Sequence, residues 1–193
     1  MARIQPPAKV PVRDRLLTDR RRRPLAEVVD SARALAEHLL ATPEVRRAAS
    51  VAAYVSLGGE PGTGPLLEAL HAAGKRVILP VLLPDGDLDW GVHTGELVSA
   101  RLGLLEPAGP PLGVDAVATA DAVLVPALAV SSTGLRLGRG GGSYDRALGR
   151  VPVGTFTCAL LYDAELGVDV PVEPHDRPVT AAATPTRIVR FGH

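Results

Sequence analysis

The sequence predicts an α/β fold, a three-layer domain with a mostly parallel sheet and N-terminal helices packed on it. Three observations lead there. Short apolar runs rich in Val, Leu and Ala recur from residue 50 onward. Segments with helical periodicity alternate with them, and Gly/Pro turns separate the two. Several runs are apolar at every position, as strands covered on both faces are. Together these describe a Rossmann-like arrangement, and 193 residues suffice for one such domain. We expect a single domain over 1–193, with a helical N-terminal segment over about 9–42.

The elements follow in order. VRDRLLTDRRRR reads as a short helix whose arginine run (Arg20–Arg23) either touches phosphate or, the favoured reading, forms a solvated helix end suited to cations. In PLAEVVDSARALAEHLL, Leu25, Val28, Ala32, Leu35 and Leu39 fall at three- and four-residue steps, which puts them on one face. Pro24 suits the first turn and Pro43 ends the pattern. SVAAYVSL (50–57) is a strand, GGEPGT a turn, and GPLLEALHAAG (64–74) a helix closed by Gly74. KRVILPVLL (75–83) is the next strand, and PDGD turns it into LDWGVH as a hairpin. EPAGPPLG is a loop, DAVLVPALAV (121–130) a buried strand, and GSYDRALGR the start of a helix after the glycine loop. TFTCALLY (155–162) and RPVTAAAT (177–184) are the last two strands.

Composition excludes several classes. With 21 basic and 21 acidic residues the net charge is zero, which argues against a chain-wide nucleic-acid footprint. Cys158 is the single cysteine, so neither an intrachain disulfide nor a cysteine metal cluster can form, and in FTCALLY it reads as a core residue. MARIQPPAKVPV lacks the apolar run of about 7–15 residues that a secretory signal needs. AVLVPALAV is too short to cross a bilayer and is broken by Pro126. A cytoplasmic protein is expected, with no membrane partner. Aromatic residues make up only 3% of the chain, so the core must rest on Ala, Val and Leu.

The most informative stretch is GLRLGRGGGSYDRAL (134–148), with Gly134, Gly138, Gly140, Gly141 and Gly142 among Arg136, Arg139 and Arg146. It lies between a buried strand and a helix start, where open α/β sheets bind ligands. Consecutive glycines allow positive φ and let backbone N–H groups converge on an anion, while arginine forks match phosphate oxygens. The stretch reads as a phosphate cradle. It is not a Walker A loop, having no Gly-Lys-Ser/Thr, and Ser143 stands where the dinucleotide fingerprint needs its third glycine. Asp145 either offsets the helix dipole or holds Mg²⁺ beside phosphate. Glu60, in the turn after the strand carrying Tyr54 and Val55, sits at another strand's carboxyl end. In VEPHDRPV (172–179), one of His175 and Asp176 could ligate a metal, since neighbours on extended chain point different ways.

Lys9 with Arg13, YVSLGGEPGT (54–63), LVPALAV (124–130), GLRLGRGGGSYDR (134–146) and VEPHD (172–176) together resemble the 5-formyltetrahydrofolate cyclo-ligase family, in family order across residues 9 to 184. The resemblance implies an ATP- and Mg²⁺-dependent conversion of 5-formyltetrahydrofolate, with or without a polyglutamate tail, to 5,10-methenyltetrahydrofolate, releasing ADP and phosphate. It implies that the formyl oxygen is phosphorylated before ring closure. On the same basis Lys9, Arg13, Arg136, Leu137, Gly138, Arg139, Gly140, Gly141, Gly142, Ser143 and Tyr144 would bind ATP, with Arg139 stabilising the transferring phosphoryl group. Val55, Glu60 and residues 139–143 would border the folate, and Asp145 and Asp176 would hold Mg²⁺. Some members carry Lys at the position of Gly141 and Tyr at that of Ser143; both functions are missing here, and Trp90 or Tyr54 could supply the lost aromatic face. A monomer is expected. Two other readings stand beside this one: a sugar-phosphate isomerase-like protein on the same fold, and a non-catalytic nucleotide- or RNA-binding module.

Overall fold

The computed structural model describes residues 9–192. The absence of a secretory signal, read partly on residues 1–8, lies outside them. Five α-helices are present among the described residues: α1 (Lys9–Arg21), α2 (Leu25–Ala41), α3 (Pro43–Arg47), α4 (Gly64–Ala72) and α5 (Ser143–Arg150). The strands begin with β1 (Ser50–Ala52), β2 (Arg76–Leu82), β3 (Leu88–Val92), β4 (Leu97–Ser99) and β5 (Leu105–Pro107). They continue with β6 (Ala122–Pro126), β7 (Ala129–Val130), β8 (Arg136–Leu137), β9 (Phe156–Leu160), β10 (Ala181–Ala183) and β11 (Ile188–Arg190).

Seven strands form one sheet in the order β11-β10-β9-β6-β1-β2-β3, parallel except for the antiparallel edge strands β3 and β11. The alternation of strand and helix in the sequence gives this result because parallel neighbours need crossovers. Both faces are covered. On one, Leu35 and Leu39 of α2 and Leu66 and Leu70 of α4 pack on Val51, Val77, Leu124 and Leu160. On the other, Ala147 and Leu148 of α5 pack on Ile78, Val123, Val125 and Ala159. Cys158 is buried in the first layer, and its thiol is pushed up by that burial, so it is the inert core residue expected.

From β1 the chain passes through α4 to β2 on one side, while β6 lies against β1 on the other. The carboxyl ends of β1 and β6 therefore face a topological switch point, where a crevice opens between diverging connections.

Four departures from the sequence reading have physical causes. The apolar stretch 121–130 splits: β6 ends at Pro126, and Ala129–Val130 turns away to pair with Arg136–Leu137, so the glycine loop follows a small hairpin and not the sheet strand itself. The strand expected over 50–57 ends at Ala52, leaving Tyr54 and Val55 just past the carboxyl edge. The hairpin β4/β5 and the edge strand β11 were not anticipated, since three-residue strands carry too little alternation to register. Finally, the run Arg20–Arg23 is not uniformly solvated: Arg20 is buried and Arg23 half-buried, while Arg21 and Arg22 are exposed.

Candidate functional site

A crevice of about 1470 Å³ runs along the carboxyl edge. Drug-sized pockets occupy roughly 300–1,000 Å³, so this one can hold two ligands side by side. One wall is polar and the other apolar.

The polar wall is built from α1, the glycine loop and residues 173–177. On α1, Lys9, Arg13, Leu16 and Arg20 recur at steps of four, three and four, which puts them on one helical face. Leu16 seats the helix on Leu128, Ala129, Leu137 and Val170, and the cations on the same face reach the crevice. Arg13 Nε donates to Gly138 O at 2.8 Å. Its guanidinium lies 3.3 Å from where a Cβ on Gly140 would stand, and Gly140 has φ +108°. A side chain there would be strained and would push Arg13 away, so the glycine serves both the turn and the close approach.

Arg136 lies under the loop. It is buried, with Nη1 donating to Pro126 O at 2.9 Å and Nη2 3.5 Å from Asp145 Oδ1. Burial lowers its pKa against the attraction of Asp145. Its Nε finds no partner among the described residues. A Cβ on Gly138 would stand 2.9 Å from Arg136 Nη1, so a side chain there would have to displace the Arg136 guanidinium. Above it, the backbone N–H groups of Arg139, Gly140, Gly141 and Gly142 have no acceptor among the described residues. Gly142, at φ +70°, then opens α5, whose first N–H groups have no intrahelical acceptor. Four amides without an acceptor among the described residues and a helix start form a hollow of the kind that can receive an anion.

Across the hollow, Lys9 Nζ donates to Glu173 Oε2 and to both oxygens of Asp176, each at 2.8 Å. Burial opposes the ammonium, but the hydrogen bonds and charges of Asp176 and Glu173 outweigh it and raise Lys9. Burial likewise opposes ionised Asp176, and Lys9 overcomes it to hold that carboxyl below its ordinary value. Oxygen or nitrogen atoms of Asp145, Asp176 and His175 lie within 4.8 Å of one another. Two carboxylates beside an anion hollow, one already drawing an internal cation, fit Mg²⁺, which takes a few carboxylates and completes its shell from phosphate and water. Although adjacent in sequence, His175 and Asp176 each bring a ligand-capable atom to the same region.

Glu60 and Arg139 bridge the two walls. Glu60 is buried, accepts the Leu57 N–H at 2.7 Å, and stands 3.5 Å from Arg139 Nε. The Arg139 side chain is 53% exposed, so it is free to swing toward a ligand. Tyr54 and Tyr144 line the crevice between them, both pushed up by burial first and by the charge of Glu60 second, so each stays a neutral phenol. The Tyr54 hydroxyl is buried without a partner among the described residues.

The apolar wall consists of Pro80 and Leu82 at the end of β2 with Leu102, Leu104 and Leu105 of the β4/β5 hairpin. Leu102 has φ +60° and is 77% exposed, an uncommon backbone state for a branched apolar residue at a crevice mouth. Ser143 Oγ donates to Gly86 O at 2.6 Å, Arg146 Nη1 to Asp85 O at 2.9 Å, and Arg150 to both Asp87 oxygens at 2.7 and 2.6 Å. These contacts fasten the β2–β3 turn to α5.

Of the residues singled out from the sequence, Lys9, Arg13, Val55, Glu60, Arg136, Gly138 through Asp145, and Asp176 all line this crevice. Leu137 does not: its side chain is buried beside Leu16 and Leu128, and its carbonyl accepts the Leu128 N–H. Trp90 is buried among Ile78, Leu88 and Val117, away from the crevice, whereas Tyr54 lines it. Sequence reasoning missed Arg20, Glu173 and the leucines of the apolar wall. The four-three-four step from Lys9 would have found Arg20; the leucines carry no signal in a chain this rich in them.

The 5-formyltetrahydrofolate cyclo-ligase family model matches residues 5–185. A 5-formyltetrahydrofolate cyclo-ligase of Mycolicibacterium smegmatis is 41% identical over 95% of this chain and 97% of its own. One from Escherichia coli K12 is 38% identical over 79% of this chain and 87% of its own. The NMR structure of Aquifex aeolicus 5,10-methenyltetrahydrofolate synthetase superposes with a TM-score of 0.81 at 25% identity, covering 95% of this chain and 92% of that one. The Mycoplasma pneumoniae synthetase structure shares the fold, with a TM-score of 0.74 at 18% identity over 92% of this chain and 98% of that one.

Proposed function

The chain belongs to the 5-formyltetrahydrofolate cyclo-ligase family, and on that premise we propose how its crevice converts 5-formyltetrahydrofolate to 5,10-methenyltetrahydrofolate. ATP is the cosubstrate. Its terminal phosphates enter the hollow at 138–142, contacted by Lys9, Arg13 and Arg136, and the reduced pterin lies against Val55 and Glu60. The formyl oxygen attacks the γ-phosphorus and ADP departs. N10 then closes on the activated carbon and loses its proton, and phosphate leaves with the former formyl oxygen.

This chemistry asks for little acid–base work. An amide-like oxygen is a poor leaving group until phosphorylated, and the rest is positioning and charge stabilisation. Arg139 is the catalytic residue in this reading: it can leave Glu60 to meet the equatorial phosphoryl oxygens. Glu60 then accepts pterin N–H groups. Asp145 and Asp176 would hold Mg²⁺, with His175 beside them, and the ion would neutralise phosphate charge. Lys9, released from Asp176, turns to phosphate. The apolar wall takes the aromatic ring between pterin and glutamate. The enzyme acts as a cytoplasmic monomer that needs neither nucleic acid nor membrane; among the described residues no helix is long and apolar enough to cross one.

One observation supports the reading above others: the unpaired amides of 139–142 and the buried Glu60 share a single crevice with room for two ligands. The isomerase-like and non-catalytic alternatives give way to the family relationship. The test is an absorbance assay for the methenyl product. We expect product that requires both ATP and 5-formyltetrahydrofolate and is lost on chelation of Mg²⁺; no product with all three present contradicts the reading.

A further inference from the structure

We propose that Arg20, Glu165 and Tyr162 form a latch that fixes helix α1 against the turn carrying Glu60, so that the two substrates meet in register. The proposal rests on the assignment of Lys9 and Arg13 to phosphates and of Glu60 to the pterin. Arg20 makes a parallel fork to Glu165, Nε to Oε1 at 2.7 Å and Nη2 to Oε2 at 2.8 Å. The two side chains are 3% and 4% exposed. Arg20 Nη2 also donates to Ala127 O at 2.6 Å, just past the carboxyl end of β6. Glu165 Oε2 accepts the Tyr162 N–H at 3.0 Å, which ties the pair to the end of β9.

Tyr162 carries the connection onward. Its hydroxyl donates to Gly59 O at 3.2 Å, one residue before Glu60. The Arg23 guanidinium lies 3.7 Å from the Tyr162 ring centroid, at cation–π distance. Gly59 itself rests on α1: a Cβ there would stand 3.3 Å from Arg20 Cβ and 3.5 Å from Arg20 O. The last turn of α1 and the 58–60 turn are therefore one contact, closed on its far side by Tyr162. Lys9 and Arg13 belong to the same helix.

A stability role alone accounts poorly for this arrangement. Taking two charges out of water offsets most of their mutual attraction, and apolar replacements of buried pairs are often neutral. What a bidentate fork does fix is geometry, because a guanidinium and a carboxylate match in one orientation. Geometry is what an in-line transfer between two separately held substrates requires, and a misplacement of about 1 Å can cost about a hundredfold in rate. Glu165 and Tyr162 do not border the crevice. Arg20 reaches its wall but commits Nε and Nη2 to Glu165 and Ala127, so we assign all three as positioning residues.

The experiment is calorimetric titration of a non-hydrolysable ATP analogue with Mg²⁺, with and without 5-formyltetrahydrofolate, alongside steady-state kinetics. The variants are Tyr162→Phe, which keeps the ring and loses only the hydroxyl, and Arg20→Lys, which keeps the charge and loses the fork. We expect each ligand alone to bind the variants within about twofold of the parent protein. The mutual enhancement of the two ligands should fall severalfold, and kcat should fall about 10–100-fold with little change in either KM. A residue that only stabilised the fold would move the melting temperature and leave the enhancement intact. Undiminished enhancement and kcat in Tyr162→Phe overturn the latch, whether or not Arg20→Lys folds. Absence of methenyl product from the parent protein overturns the functional reading instead, and the latch with it.

Discussion

The two walls of the crevice solve different problems with different residues. The polar wall presents backbone amides, guanidiniums and carboxylates on α1, the glycine loop and residues 173–177, with Lys9 bonded to Glu173 and Asp176 and Arg13 to the Gly138 carbonyl, each at 2.8 Å. The apolar wall presents leucines on a short hairpin, one of them in a left-handed backbone state and open to solvent. Charge must be placed accurately because its energy varies steeply with distance. Apolar contact varies with buried area and tolerates small shifts. On the proposed reaction, chemistry belongs to the polar wall and affinity for the folate to the other.

The largest effect should come from removing the charge that acts only in the transition state. Arg139→Ala is expected to lower kcat by about a thousandfold or more, the range of arginines that stabilise a transferring phosphoryl group. The fold should persist, since that side chain is half exposed and bonded only loosely to Glu60. Activity near that of the parent protein, read from methenyl absorbance, would remove Arg139 from the chemistry. Next in size is Asp145→Asn, which should raise the Mg²⁺ concentration for half-maximal activity at least tenfold, about the effect of losing even an outer partner of a metal. An unchanged titration would reduce Asp145 to a helix-capping acid.

The apolar wall should respond more gently and to one substrate only. Leu102→Asn keeps the left-handed backbone comfortable and removes the apolar surface. The expected loss is about 1–2 kcal/mol of folate binding, roughly a 5–30-fold rise in its KM, with that for ATP unchanged. An equal rise for both substrates would erase the division between the walls.

The smallest effect concerns the strap between α5 and the β2–β3 turn. The Arg150 hydrogen bonds bring Asp87 down from 3.8 to about 2. An acid held below its unfolded value stabilises the fold above that value and loses the contribution as pH falls. The gap between parent protein and Arg150→Ala in urea unfolding should be complete above about pH 4 and close as pH falls through about 2. At neutral pH it should be at most about 1 kcal/mol, since the pair is partly solvated. A gap that stays constant down to pH 2 would mean the arginine acts by packing.

The same contrast explains what the sequence disclosed. The glycine loop was legible because the proposed phosphate cradle needs contiguous bare backbone, and few other reasons exist for five glycines and two arginines in nine positions. Lys9, one of two lysines, does enter the site, whereas Lys75 donates to Arg46 O and Ala48 O at the end of α3. Rarity alone could not separate them. Arg20 was hidden in a run of four arginines, where its burial depends on Glu165 arriving from 145 residues downstream. The leucines of the hairpin look like any core leucine; only the tertiary arrangement leaves them lining a mouth. The break after Pro126 escaped notice because Ala127 and Leu128 remain apolar while the strand turns off the sheet. Helices α2 and α4 were recovered nearly to their ends, since their apolar faces are long enough to show a period.

The most direct test of the central claim is a crystal structure with a non-hydrolysable ATP analogue, Mg²⁺ and 5-formyltetrahydrofolate. The account predicts the terminal phosphate within hydrogen-bond reach of the amides of 139–142, with the formyl oxygen in line across from it and the pterin against Glu60. Phosphates seated elsewhere along the crevice, with those amides facing solvent, would contradict it.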